Sequence, residues 1–165
     1  MSHLIALVFH DPFAGEEARA ALHRLAGEGL LEIDDTVLIR HALDGRMTVT
    51  QEDKLINKGQ ETGHVLGLVA AAITGTMPLI LAGTLAGRLI SRFMDDRITR
   101  SFIRDVKEEV LPGWSALVAL GLADPGRRQF VADHLQGFGA KVLHAEVPAT
   151  LLQSIEGEIE KDRAA

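Results

Sequence analysis

The chain alternates between short, wholly apolar runs and longer stretches with helical spacing. His3 to His10 (HLIALVFH) is a continuous apolar run, short enough for a buried strand, and Asp11-Pro12 ends it. From Pro12 to Gly29, Ala14, Ala18, Ala21, Leu22 and Leu25 recur on one helical face, with Glu16, Glu17, Arg19, Arg24 and Glu28 on the other. Gly27 and Gly29 mark its end. Thr36–Leu43 and Met47–Gln51 flank Asp44-Gly45, a strong hairpin signal. Further on, Ile98, Phe102, Ile103, Val106, Val110 and Leu111 predict an amphipathic helix stopped by Pro112-Gly113. Trp114–Leu122 reads as a second apolar strand. Asp124-Pro125-Gly126 opens a helix that Gly137 and Gly139 close, and Lys141–Val147 reads as a strand. Leu151, Leu152, Ile155 and Ile159 predict a last helix, followed by a polar tail.

Between these patterns lies a segment of another kind, from about Leu55 to Met94. It carries no charge from Val65 to Gly87, and Gly59, Gly63, Gly67, Ala71 and Gly75 fall every fourth residue. Positions four apart stack on one helical face. Glycine costs about 1 kcal/mol relative to alanine in a helix interior, so such a ladder calls for close approach of another helix. Pro78 interrupts the segment, which predicts two helices, Ile56–Thr76 and Pro78–Phe93, meeting at Met77-Pro78.

The two flanks repeat one another. LIALVFHDP…GEGLLEIDDTVLIR and SALVALGLADP…GFGAKVLHAEV both read strand, Asp-Pro, helix, glycine, strand. Two such units in one sheet predict an α+β, ferredoxin-like sandwich of duplicated βαβ units with right-handed crossovers. The chain is then a single domain, 1–165, with a glycine-rich helical hairpin at 55–94 inserted between halves 1–54 and 95–165. If the halves share a sheet, the insert must leave and return on the same side. Lys54, Lys58, Arg88, Arg92 and Arg97 flank it, so both ends are basic. Each arm is short against the roughly 20 apolar residues of a full crossing. The expected settings are a bilayer entered partway or an assembly of hairpins, with tight packing of the two helices on the chain's own sheet as the alternative.

Composition narrows the function classes. The 165 residues include no cysteine, which excludes disulfides and thiolate metal sites. Net charge is −6, and Lys and Arg look scattered along the chain, so no nucleic-acid partner is expected. Mean hydropathy is +0.14, far below that of a polytopic membrane protein. The start, Met1-Ser2-His3-Leu4, has neither a basic region nor a small-residue cleavage site, so the polar parts are expected to be cytoplasmic.

LIALVFHDP, GLLEIDD, the glycine-laddered hairpin, LPGWSAL at 111–117 and GFGAKVLHAEV together resemble the bacterial domain-of-unknown-function family 1269. The resemblance covers nearly the whole chain, and Leu-Pro-Gly-x-Ser-Ala-Leu is its most specific part. It implies a predicted membrane protein, linked in some members to stress or the cell envelope. It supplies no catalytic residues.

Other chemistry is thin. His3, His10, His41 and His144 lie on predicted strands and have the means to meet, but none shows zinc-motif spacing. Asp34-Asp35, Asp95-Asp96 and Glu108-Glu109 are adjacent pairs, which do not face each other; Asp95 and Asp96 suit a helix cap. Ser115, in Gly113-Trp114-Ser115, lacks the second glycine of a nucleophile elbow and reads as the start of a strand behind a Leu-Pro-Gly-Trp turn. No phosphate-loop motif accompanies the glycines. The expectation is a non-enzymatic protein without cofactor or metal. It associates with itself, or with membrane lipid at the inner membrane, through Gly59, Gly63, Gly67, Ala71, Gly75, Gly83 and Gly87. The alternative is a ligand-sensing module.

Overall fold

The computed structural model describes residues 2–51, 62–75, 83–121, 125–135, 139 and 141–164. Strands β1 (Ser2–Phe9), β2 (Ile33–His41), β3 (Met47–Gln51), β4 (Ser115–Gly121) and β5 (Lys141–Val147) form one antiparallel sheet in the order β3-β2-β4-β1-β5. Helices are α1 (Ala14–Gly27), α2 (Thr62–Thr74), α3 (Gly83–Asp95), α4 (Arg97–Glu109), α5 (Pro125–Leu135) and α6 (Ala149–Ala164). The chain is thus mixed α+β. Helix α6 takes in most of the expected polar tail, and the expected junction at Met77-Pro78 lies outside the described residues.

The apolar runs become the sheet's centre. β1 and β4 pair from His3↔Gly121 to Phe9↔Ser115, and both are buried on both faces. Alternation divides β1 between two cores. Ile5, Leu7 and Phe9 join Leu22 and Leu25 of α1 and Val131 and Leu135 of α5. Leu4, Ala6 and Val8 join the apolar residues of α2, α3, α4 and α6 on the other side. The sheet therefore has helices on both faces. β1 and β2 run parallel with β4 between them, and β4 and β5 run parallel with β1 between them.

Helix α2 explains the charge-free stretch. Val65, Leu66, Leu68, Val69, Ala70 and Ile73 are all fully buried over rather more than half of the helix circumference, and on the remaining side Ala71 is buried and Gly67 and Thr74 are half-buried. A helix that is apolar on every side belongs inside a core or inside a membrane. Here it lies against β2, β3 and β4, with α3, α4 and α6 also packed on it. Of the apolar residues expected to need a partner or a bilayer, Val65, Leu66, Leu68, Val69, Ile73, Leu85 and Leu89 are covered by the chain's own sheet and helices, while Leu79, Ile80 and Leu81 lie outside the described residues. No helix among the described residues is long and apolar enough to cross a membrane.

Glycine fixes two corners. Gly75 has φ +73 and its N–H donates to the Ala71 carbonyl at 2.8 Å, so it ends α2 as a left-handed cap. Gly121, at φ +128, stands opposite a bulge in β2 between Ile33 and Asp35. A Cβ there would meet the Glu32 carbonyl at 2.9 Å, so no side chain fits.

Candidate functional site

The small residues do not share one environment. Gly59 lies outside the described residues; Gly63 and Gly83 fall within α2 and α3. Gly67 is half-buried in α2, and Ala71 is buried there. Gly75 is the cap just described, exposed at the end of α2. Gly87 sits mid-α3, exposed, with nothing among the described residues within 4 Å of where a Cβ would stand.

Helix α3 is amphipathic in a way that isolates Gly87. Leu85, Leu89 and Phe93 repeat every fourth residue and point inward. Gly87 and Ser91, also four apart, are exposed on the opposite side, with Gly83 one turn earlier in the same spacing. Arg92 ties the helix to α6 through Ser154 and through Glu158 at 2.8 Å. Gly157, mid-α6, likewise has nothing within 4 Å of a built Cβ. Sequence reading passed over Gly157; the available signal was a glycine away from the Leu152, Ile155, Ile159 stripe.

Two of the four strand histidines meet. His3 Nδ1 and His144 Nε2 lie 2.8 Å apart with their rings stacked. The others go elsewhere: His10 stacks on Trp114, and His41 Nδ1 donates to the Val110 carbonyl at 2.8 Å. No group of three metal-ligating side chains occurs among the described residues. Asp96 caps α4, its carboxylate accepting from the Thr99 N–H at 2.8 Å. Partial burial, and then the charge of Glu32, raises the Asp34 carboxyl above its ordinary value.

The Leu-Pro-Gly-Trp segment is a structural corner. Gly113, at φ +86, donates to the His41 carbonyl at 2.7 Å, and Trp114 accepts from the His41 N–H. The Ser115 hydroxyl, at the start of β4, donates at 2.7 Å to the carbonyl of Asp11, just beyond the end of β1. An open cleft of about 610 Å³ lies between α4 and β5, lined by Ile98, Ser101, Phe102, Asp105, Leu143 and Ala145 among others. Ile98, expected on the buried face of α4, is 53% exposed at this cleft.

Four cations of α4 share a flank, with exposed Glu108 beside them and Arg104 paired with Asp105 at 3.7 Å. Arg97, Arg100, Arg104 and Lys107 are all exposed and follow at steps of three, four and three along one flank. Asp105 and Glu109 occupy the flank facing β5, where Glu109 holds Lys141 at 2.6 Å. The cations that look scattered in the sequence are therefore aligned here.

Comparison with curated proteins and with solved structures gives no match. The profile of the family described as protein of unknown function (DUF1269) matches residues 57–160. That span takes in α2, α3, α4, the Leu-Pro-Gly-Trp corner, β4, α5, β5 and most of α6. It leaves LIALVFHDP and GLLEIDD outside. Matched over more than half its length, the chain belongs to the DUF1269 family of proteins of unknown function.

Proposed function

We propose that this chain is a non-enzymatic, self-associating protein with a duplicated, ferredoxin-like body, and that the outer face of α3 forms the contact between copies. Support for the body comes from strand order. Without β3, the order β2-β4-β1-β5 is that of two interleaved βαβ units, β1-α1-β2 and β4-α5-β5. Gly29 and Gly139 precede the second strand of each unit at φ 76 and 74.

One observation carries the association. Gly87 and Ser91 expose a smooth face opposite the buried stripe of α3, and nothing among the described residues uses the space above Gly87. Glycine there costs about 1 kcal/mol of helix stability relative to alanine. Close approach of a second helix explains that cost, because small residues four apart let two backbones meet. Gly87→Leu should keep the fold, since its side chain enters open space, and should reduce the mass of the native particle in light scattering. An unchanged mass counts against the reading.

A second reading, attachment to an anionic membrane surface, is favoured by the basic flank of α4. Each such cation contributes about 1 kcal/mol near an anionic bilayer. The chain should sediment with phosphatidylserine vesicles at low salt and not with phosphatidylcholine vesicles, and Arg100→Glu with Arg104→Glu should abolish this. Equal recovery with both lipids excludes it.

A further inference from the structure

We propose that β5 is a pairing edge for a second copy of this chain: two β5 strands meet antiparallel across a two-fold axis and join two five-stranded sheets into one. The surface is distinct from the outer face of α3. β5 ends the sheet, and among the described residues no strand lies beyond it. Its pairing with β1 is continuous from Ser2↔Val147 to Val8↔Lys141, without a bulge, so the free side is a regular ladder of backbone donors and acceptors.

Proteins guard such edges with lysine, proline, bulges or short strands. β5 has seven residues, against five in the opposite edge β3, and Leu143 to Val147 contains no proline and one charged residue, Glu146, with Pro148 following it. Its one lysine, Lys141, is held on α4 by Glu109 at 2.6 Å. There is room on both faces for the side chains of an added strand. On one face Val142 is 37% exposed, with His144 and Glu146 also exposed. On the other lies the open cleft beside Leu143 and Ala145.

Self-complementarity identifies the occupant. With the axis at Ala145, antiparallel pairing sets His144 opposite Glu146 of the partner subunit, and the symmetry repeats that pair. Leu143 then stands opposite Val147 of the partner subunit on the face that packs against the helices of the larger core. Each face receives a matched cross-strand pair, imidazole with carboxylate and apolar with apolar. An axis at His144 would instead set two imidazoles together and Val142 against a carboxylate.

The chain has no cysteine, so a single introduced thiol reports the axis cleanly. Directly opposite Cβ atoms lie about 4.5–5.5 Å apart, near disulfide range. Ala145→Cys should form a reductant-sensitive cross-linked dimer under mild oxidation, and adding Val142→Lys should abolish it. Val142→Lys alone changes an exposed side chain and should leave the melting temperature intact, so it also tests the edge without the thiol. It should remove the β5-dependent step of a concentration series in light scattering. Gly87→Leu should leave the cross-link in place, which separates this edge from the α3 surface. No cross-link in a folded Ala145→Cys chain, or a cross-link that survives Val142→Lys, overturns the proposal.

Discussion

Helices α2 and α3 are consecutive, each has 13 residues, and both carry glycine at four-residue spacing, yet they use it differently. α2 lies between the sheet and the outer helices and buries apolar side chains over more than half of its circumference, with Ala71 buried and Gly67 half-buried on the other side. Among its described side chains α3 buries Leu85, Leu89 and Phe93, and it turns Gly87 outward with no described atom within 4 Å of a built Cβ. The comparison teaches that a small-residue ladder fixes the closeness of a contact but not its partner. What decides the partner is the far side of the helix. Where that side is also apolar, the helix is interior; where it is charged, the small residues face outward.

The comparison breaks first at Ala71. Its side chain is 5% exposed, so Ala71→Leu overfills the α2 layer and should cost about 1–3 kcal/mol, read as a lowered urea midpoint. If the midpoint is unchanged, α2 is not the packed interior helix described here. Gly75→Ala isolates backbone from packing, because nothing lies within 4 Å of the new Cβ while φ is +73. A loss of about 1–2 kcal/mol in equilibrium unfolding is expected from the left-handed conformation alone. No loss would mean that α2 ends in another way. The smallest effect should come from Gly87→Ala, a gain of up to about 1 kcal/mol in the dissociated chain. A loss there would reveal a neighbour that the open space excludes.

Much of the fold was legible because it rests on local rules. The wholly apolar runs of β1 and β4 announced strands buried on both faces, and Asp44-Gly45 gave the turn between β2 and β3, with Gly45 at φ 91. Leu-Pro-Gly-Trp was readable as a corner for the same reason. The setting of α2 was not, because its sequence rewards lipid, a partner or the chain's own sheet alike, and only tertiary structure shows that the sheet's second face was vacant. The β5 edge was hidden for a related reason: no residue in Lys141–Val147 says which strand ends the sheet. Gly87 and the aligned cations of α4 needed the helical register, since a glycine or an arginine gains meaning from what stands half a turn away.

The most direct measurement takes native mass by light scattering and melting temperature together for the unaltered chain, Ala71→Leu and Gly87→Leu. The account predicts an oligomer whose mass falls in Gly87→Leu with the fold intact, while Ala71→Leu lowers the melting temperature. A Gly87→Leu chain that keeps its mass, or an unaltered chain that is monomeric throughout, would contradict the claim that the outward glycine serves association.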